Sequence, residues 1–190
     1  MKKYNQLIEY VKTTEALVES AGLISWDKET MMPKGSFEQR AVCLSEIEKV
    51  IHLRRSNEFI EELLSSIILS KLNHTQKANI RHISKSFYRS KKIPVQLASE
   101  LARVTSLSQS AWAESRKRND ANEFLKIFKD VVYLRKQEAQ ALSNNNKNIY
   151  DALLDDYEPS MTSAKLDPLF YNLRTELVSL RQSVLDKNNI

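Results

Sequence analysis

Glycine occupies only two of the 190 positions of this chain, Gly22 and Gly35, and proline only four. Tight hairpin turns depend on residues that tolerate positive φ, and glycine is the most common of them. A chain so poor in turn-forming residues cannot connect many short strands, whereas helices need neither residue type. Hydrophobic residues make up 42% of the chain, enough for a packed core. The sequence therefore predicts an all-α fold, an antiparallel bundle of about seven to eight helices forming a single domain over residues 1–190.

Apolar residues recur at helical spacing through the first third of the chain. They predict a long first helix that ends at Pro33, with Trp26 on its buried face. Ser36 and Gln39 have the spacing of a capping box, which predicts the start of a second helix running to about Arg54. A third, rather apolar helix is predicted over residues 59–72.

The middle of the chain repeats these signals. Asn73 and Gln76 predict a second capping box, and the helix that follows should end before Pro94, because the residue preceding a proline is pushed out of the helical region. Pro94 itself suits the first turn of the next helix. Asp120 and Glu123 are expected to cap a further helix. A polar loop over residues 144–148 and a short helix over residues 150–157 follow.

The last predicted helix has the most regular pattern. Asp167 as its N-cap places Pro168 at the first helical position, whereas a start at Thr162 would place the proline inside the helix. Its apolar residues are spaced three and four apart, as in a seam that packs against another helix. Two packing partners are considered for this seam. One is the first helices of the same domain, which ordinary bundle packing favours, and the other is a segment outside this chain. The seam residues are Leu166, Leu169, Leu173, Leu177, Leu180 and Val184.

Neither a membrane span nor a secretory leader is predicted. No segment approaches the roughly 18 consecutive apolar residues that a span requires, and the N-terminus leads into an amphipathic helix. The expected location is therefore the cytoplasm, without membrane contact. Cys43 cannot form an internal disulfide because it is the only cysteine, and its apolar neighbours predict a small buried side chain and not a reactive thiolate.

The residues needed for metal or phosphate chemistry are missing from the sequence. Two isolated glycines exclude the dinucleotide fingerprint, the Walker loop and the nucleophile elbow. The three histidines, His52, His74 and His82, are not followed by glutamate, and no two have the i, i+4 spacing that presents two imidazoles to one metal. We therefore predict no catalytic, cofactor-binding or metal-binding residue in this chain.

Two groups of charged residues have competing interpretations. Asp151 and Asp155 lie one turn apart on a predicted helix, as acid/base pairs sometimes do, but no apolar residues surround them and they are interpreted as solubilising charge.

Residues 81–118 contain nine basic residues against two acids, Glu100 and Glu114, in a chain of net charge +5. This basic stretch, with Phe87, Tyr88 and Trp112 between its charges, suits an acidic partner or nucleic acid, but the aromatic residues fall in the apolar phase, which favours a solvated face. Its basic residues are Arg81, Lys85, Arg89, Lys91, Lys92, Arg103, Arg116, Lys117 and Arg118.

Three stretches resemble one known family. Residues 26–33 read Trp-Asp-Lys-Glu-Thr-Met-Met-Pro and closely resemble the Trp-Asp-Gln-Glu-Thr-x-Met-Pro signature near the start of the carboxypeptidase Taq family of metallocarboxypeptidases. Residues 105–117 and 150–162 agree in the same order, and the likeness extends over essentially the whole chain. Two departures are Lys28, where the family usually has Gln, and Pro168, which falls where the family continues a helix.

The resemblance implies the N-terminal part of a neurolysin-like helical fold, a bound zinc or cobalt ion in the full-length family, and removal of single residues from peptide C-termini. It also implies a cytoplasmic homodimer. The family's His-Glu-x-x-His helix and its third ligand lie beyond the matched region, so no ligand or catalytic residue is transferred to this chain. Trp26 and Asp27 are expected to have structural roles, Asp27 by capping or pairing near the turn before Pro33.

Three hypotheses for function follow. The first is the N-terminal segment of a metal-dependent carboxypeptidase, inactive alone, whose catalytic half is encoded separately or lost; peptide substrate is then bound only with that half. The alternative is a non-catalytic helical module that uses the basic stretch to bind an acidic partner or nucleic acid, of which nucleic acid is disfavoured. The third is a structural remnant that dimerises through uncovered apolar surface.

Overall fold

The computed structural model describes residues 1–33, 35–143 and 148–187. Within those ranges it contains eight α-helices, one 3-10 turn and no strand, which confirms the all-α prediction. Tertiary contacts divide the chain into two compact units, Met1–Leu142 and Ser143–Ile190. The division does not test the prediction of a single domain. The helices are α1 (Lys2–Thr30), α2 (Phe37–Arg55), α3 (Glu58–Ser66), α4 (His74–Lys92), α5 (Val95–Arg118), α6 (Asn122–Leu142), α7 (Asp151–Leu154) and α8 (Ser163–Lys187).

None of the helices described in these ranges is long and apolar enough to cross a membrane.

The apolar core of the first unit joins the start of α1 to α3 and α4. Leu7 is completely buried there, and Phe87 and Leu63 are nearly so. Full burial of a side chain of this size contributes about 1.5–3 kcal/mol. This cluster therefore stabilises one end of the unit, and its members are Tyr4, Leu7, Ile60, Leu63, Leu72, Ile80 and Phe87.

The two predicted capping boxes have different outcomes. The box at Asn73 is present: Asn73 Oδ1 accepts from the Gln76 amide at 2.9 Å, and the Asn73 amide donates to Gln76 Oε1 at 3.0 Å. The box at Ser36 is wrong, because Ser36 precedes α2 with φ −88° and ψ 9° and its side chain makes no capping bond. A serine caps a helix from an extended backbone, which Asn73 has and Ser36 lacks.

The predicted third helix is shorter than expected. It ends at Ser66, and only the 3-10 turn Leu69–Lys71 follows before α4. Ser65 and Ser66 both donate their hydroxyls to the Glu62 carbonyl, which competes with the backbone ladder at this point. Two consecutive β-branched isoleucines follow, and Ile67 adopts an extended backbone. The helix therefore ends at Ser66 because helix propensity is low there, although the apolar pattern continues to residue 72.

The second unit begins its long helix earlier than predicted. α8 starts at Ser163, directly after Thr162, and contains Pro168, so of the two starts considered the one at Thr162 is observed and the N-cap at Asp167 is wrong. Asp151 explains the earlier start, because its Oδ1 accepts from the Ser163 amide at 2.8 Å and from the Ser163 hydroxyl at 2.6 Å. These hydrogen bonds lower the pKa of Asp151. Residues 144–147 of the predicted polar loop lie outside the described residues.

Asp155 also has a structural role. Its Oδ1 accepts from the amide of Ser160, which has a positive φ of 68°. Asp151 and Asp155 thus have a local structural role, since both shape the connection from α7 to α8, and their interpretation as solubilising charge stays a prediction. No described residue of α8 is buried, and α7 is far too short to cover the leucine seam within this unit.

Replacing Leu7 by alanine is expected to lower the free energy of unfolding by about 2–5 kcal/mol, because it removes a fully buried side chain from the apolar cluster. Urea unfolding followed by circular dichroism measures the change. Leu23→Ala on the same helix is the matched control, since Leu23 is exposed and its loss should change stability by less than about 0.5 kcal/mol. Equal effects of the two substitutions would contradict the assignment of the core.

Candidate functional site

Two of the three stretches that carry the family resemblance meet in space. The end of α1 lies beside the middle of α5, where Lys28 Nζ donates to Gln109 Oε1 at 2.7 Å and to Ser106 Oγ at 3.2 Å. Gln109 Nε2 in turn donates to Glu29 Oε1 at 2.6 Å. Residues 26–33 and 105–117, which are far apart in sequence, therefore form one polar contact.

Asp27 extends this contact to α2. Its carboxylate forms an ion pair with the guanidinium of Arg40, in agreement with the predicted pairing role of Asp27. The Thr30 hydroxyl donates back to the Trp26 carbonyl at 2.8 Å and closes the last turn of α1. The polar residues of the motif thus hold α1 against both α2 and α5.

The prediction that Trp26 is buried is wrong, because 60% of its surface is exposed. Residues two apart on a helix point about 200° away from each other. Lys28 faces α5, so Trp26 must face away from it. Trp112 and Tyr88 are also about half exposed, although the apolar pattern placed both inside.

Five helices of the first unit, α1, α2, α4, α5 and α6, surround a cavity of about 500 Å³. This volume lies within the range of small-molecule sites, roughly 300–1,000 Å³. The motif residues Lys28, Glu29, Ser106 and Gln109 form part of its wall. The wall of the cavity is partly apolar and partly polar, and some of its charged residues, such as Glu29 and Arg135, are exposed to solvent. Its other ionisable residues are Glu48, His52, Arg55, Arg89, Arg135 and Glu138.

One face of α2 supplies three of these groups. Glu48, His52 and Arg55 have the spacing i, i+4 and i+7, so they lie along the same side of the helix. Among the described residues the Glu48 carboxylate has no hydrogen-bond partner that satisfies it. Burial raises the pKa of Glu48, and the positive charge of Arg55 opposes that rise. Glu48 is therefore a destabilising group in its ionised form.

His52 is buried beside Glu48, with 4% of its surface exposed. Its Nε2 lies 2.7 Å from the Ile93 carbonyl oxygen, which can only accept, so Nε2 carries the proton. Burial lowers the pKa of His52, which the bond to Ile93 partly offsets. The neutral imidazole is thus favoured, with Nδ1 left as an acceptor.

The opposite wall of the cavity is an ion-pair network. Glu138 is buried and accepts from Arg89 at 3.1 Å and from Arg135 at 2.7 Å. Near the end of α1, burial lowers the pKa of Lys28 and the neighbouring Glu29 opposes this. These groups are satisfied by protein partners, in contrast to Glu48.

Sequence reasoning missed the residues of this cavity. The histidines were considered only as metal ligands, and the 4–3 spacing of Glu48, His52 and Arg55 on a predicted helix was the signal that could have revealed them. The prediction of a buried Cys43 is not met either, since this side chain is partly exposed. His74 and His82 are exposed on α4.

The basic stretch is spread over α4 and α5 and does not form one bare positive surface. Lys91 pairs with Glu61 at 2.5 Å, and Arg103 pairs with Glu100 at 2.6 Å. Arg89 and Lys117 are also engaged, with Glu138 and Glu114. Much of the positive charge is therefore balanced locally by acids, including acids from outside residues 81–118.

A family model and a relative of known sequence both match this chain and indicate the same family. The sequence model of the carboxypeptidase Taq (M32) metallopeptidase family matches residues 6–190. Thermostable carboxypeptidase 1 of Thermus thermophilus is 33% identical over 194 aligned residues, which cover 96% of this chain. The chain therefore belongs to the carboxypeptidase Taq (M32) family of metallopeptidases, as the motifs predicted.

Solved structures show the same arrangement of helices. The structure named BsuCP superimposes with a TM-score of 0.91 over 97% of this chain at 24% identity, and Trypanosoma cruzi metallocarboxypeptidase 1 with a TM-score of 0.78 over 98% at 27% identity. This chain spans 37% and 38% of those two structures and 38% of the Thermus thermophilus enzyme. The fold described above is thus the fold of part of a longer family protein.

The divalent metal that the family implies does not fit the histidines described here. The buried His52 uses Nε2 for the Ile93 carbonyl, while His74 and His82 are exposed on another helix. No group of three or more His, Cys, Asp or Glu side chains in residues 1–33, 35–143 and 148–187 is arranged to hold a metal ion. The prediction that this chain supplies no metal ligand stays a prediction.

Glu48→Gln is expected to raise the free energy of unfolding at pH 7.5 by about 0.5–1 kcal/mol. The raised pKa of Glu48 means that its ionised form opposes folding, and glutamine removes that charge. Below the ordinary carboxyl pKa both side chains are neutral and the difference should disappear. Urea unfolding at the two pH values measures it, with the exposed Glu46→Gln as control. A destabilised Glu48→Gln at pH 7.5 would be contrary to this assignment.

Proposed function

We propose that this chain is the N-terminal helical part of a metal-dependent carboxypeptidase, which removes single residues from peptide C-termini only together with the rest of the family fold. The observation that carries the proposal is the family match over residues 6–190, together with 33% identity to thermostable carboxypeptidase 1 of Thermus thermophilus, of which this chain spans 38%. In this proposal the chain supplies a wall of helices, and the zinc or cobalt ion is held by the remaining part.

The long helix α8 supports the need for that part. Its leucine seam is regular, no described residue of the helix is buried, and residues 148–187 contain no other helix of comparable length. Exposed apolar surface of this extent marks an interaction site in soluble proteins. We propose that the remaining part of the fold, in the same polypeptide or encoded separately, covers this seam. A cytoplasmic location and a family-like homodimer belong to the same proposal.

A complementation experiment tests the proposal. The purified chain with added zinc or cobalt should release no C-terminal amino acid from a blocked dipeptide and should hold no stoichiometric metal. Mixing it with the segment of Thermus thermophilus thermostable carboxypeptidase 1 that lies beyond the match should produce release. Activity of the chain alone, or full activity of the added segment without the chain, would contradict the proposal.

The second hypothesis, a binding module for an acidic partner or nucleic acid, has less support because at least four of the nine basic residues are already ion-paired. We expect fluorescence anisotropy to show no binding of single-stranded or duplex DNA at low salt. Binding that weakens steeply as salt is added would instead favour the module.

A further inference from the structure

The first unit has an apolar cluster at one end and, apart from it, a cavity whose wall is partly polar and partly apolar. Helices usually meet through apolar side chains, and buried polar groups cost free energy unless they are bonded. The cavity nevertheless brings Glu48, His52 and Arg55 of α2 together with hydroxyls of α4 and α5. A wall that is largely apolar but carries a few converging charged groups is typical of a ligand site.

We propose that this cavity binds a free α-amino acid with a large apolar side chain, whose ammonium contacts Glu48 and whose carboxylate contacts Arg55. The inference does not rest on the proposed function, because every residue that it uses lies in this chain. It concerns binding only and includes no chemical step.

The arrangement of Glu48 and Arg55 leaves a place for a zwitterion. The two residues are seven positions apart on one face of α2, so their Cα atoms are separated by about 10.5 Å of helix rise. Their charges influence each other, yet they form no direct ion pair in the described structure. A ligand with one positive and one negative group fits between them and adds no net charge to the cavity.

Each anchor has bonding capacity for the ligand. Among the described residues the Glu48 carboxylate is without an ion-pair or hydrogen-bond partner, so an ammonium would satisfy it. Arg55 gives one nitrogen to Glu15 at 3.0 Å. Its guanidinium has five N–H donors in all, which leaves donors for a carboxylate.

An adjoining pocket accounts for the apolar side chain. It has a volume of about 220 Å³ and shares Arg55 and Ser86 with the polar cavity. Its wall combines the apolar residues Val11, Ile83 and Phe87 with Thr14, His82 and the Glu15 carboxylate that pairs with Arg55. A ligand whose carboxylate lies on Arg55 can therefore place its side chain in this pocket. Leucine can contact the apolar part of this wall, whereas glycine leaves the pocket empty and the carboxylate of aspartate would lie near that of Glu15.

Calorimetric titration of the full chain with L-leucine tests the inference. We expect saturable binding of leucine and at least about tenfold weaker binding of glycine, because the apolar pocket then gains no contact. Leucinamide lacks the carboxylate and 4-methylpentanoate lacks the ammonium, and each should also bind at least about tenfold more weakly. No saturable leucine binding up to roughly 10 mM, or equal binding of the two analogues, would overturn the proposal.

Two variants on the same helix complete the test. Glu48→Gln should weaken leucine binding at least about tenfold while the protein stays folded, whereas Glu46→Gln, which alters an exposed carboxylate paired with Lys49, should bind leucine like the unmodified chain. Circular dichroism verifies that both variants fold. Unchanged binding by Glu48→Gln, or the same loss in both variants, would show that Glu48 is not the ammonium anchor.

Discussion

Polar contacts connect the end of α1 to two neighbouring helices. Lys28 reaches Ser106 and Gln109 of α5, and Asp27 pairs with Arg40 of α2. Hydrogen bonds have directional requirements that apolar contacts lack, so this network sets the position of α1 along and around its axis as well as its distance from the neighbours. The family signature over residues 26–33 thus connects three helices, α1, α2 and α5, through polar contacts.

These polar contacts alone do not stabilise the helical unit. Polar contacts between half-buried groups contribute only about 0.5–1.5 kcal/mol each, because they replace contacts with water. The apolar cluster around Leu7 and Phe87, at the other end of α1, supplies the larger contribution. Because the apolar cluster supplies most of the stability, the bundle tolerates a cavity with charged groups in its wall.

Sequence patterns predicted the helices well because helical periodicity is a local property of the chain. The Asn73 capping box was predictable since all its atoms lie within four residues. Ser36 has the same residue spacing but failed, because its backbone conformation depends on the turn after Pro33. Trp26 was misplaced for a related reason: the inward face near the end of α1 is polar, so the apolar phase points to the wrong side. The start of α8 depended on Asp151, twelve residues away in sequence.

The candidate site was less predictable than the fold because its residues come from five helices, and the spacing of residues on one helix does not show which residues of the other helices face them. The ionisation of Glu48 illustrates what such a site requires. Burial raises the pKa of Glu48 more than Arg55 lowers it, so the ionised carboxylate opposes folding. A ligand that binds only the folded state raises the free energy of unfolding by mass action. An ammonium group at Glu48 would therefore couple occupancy of the cavity to the stability of the helices around it.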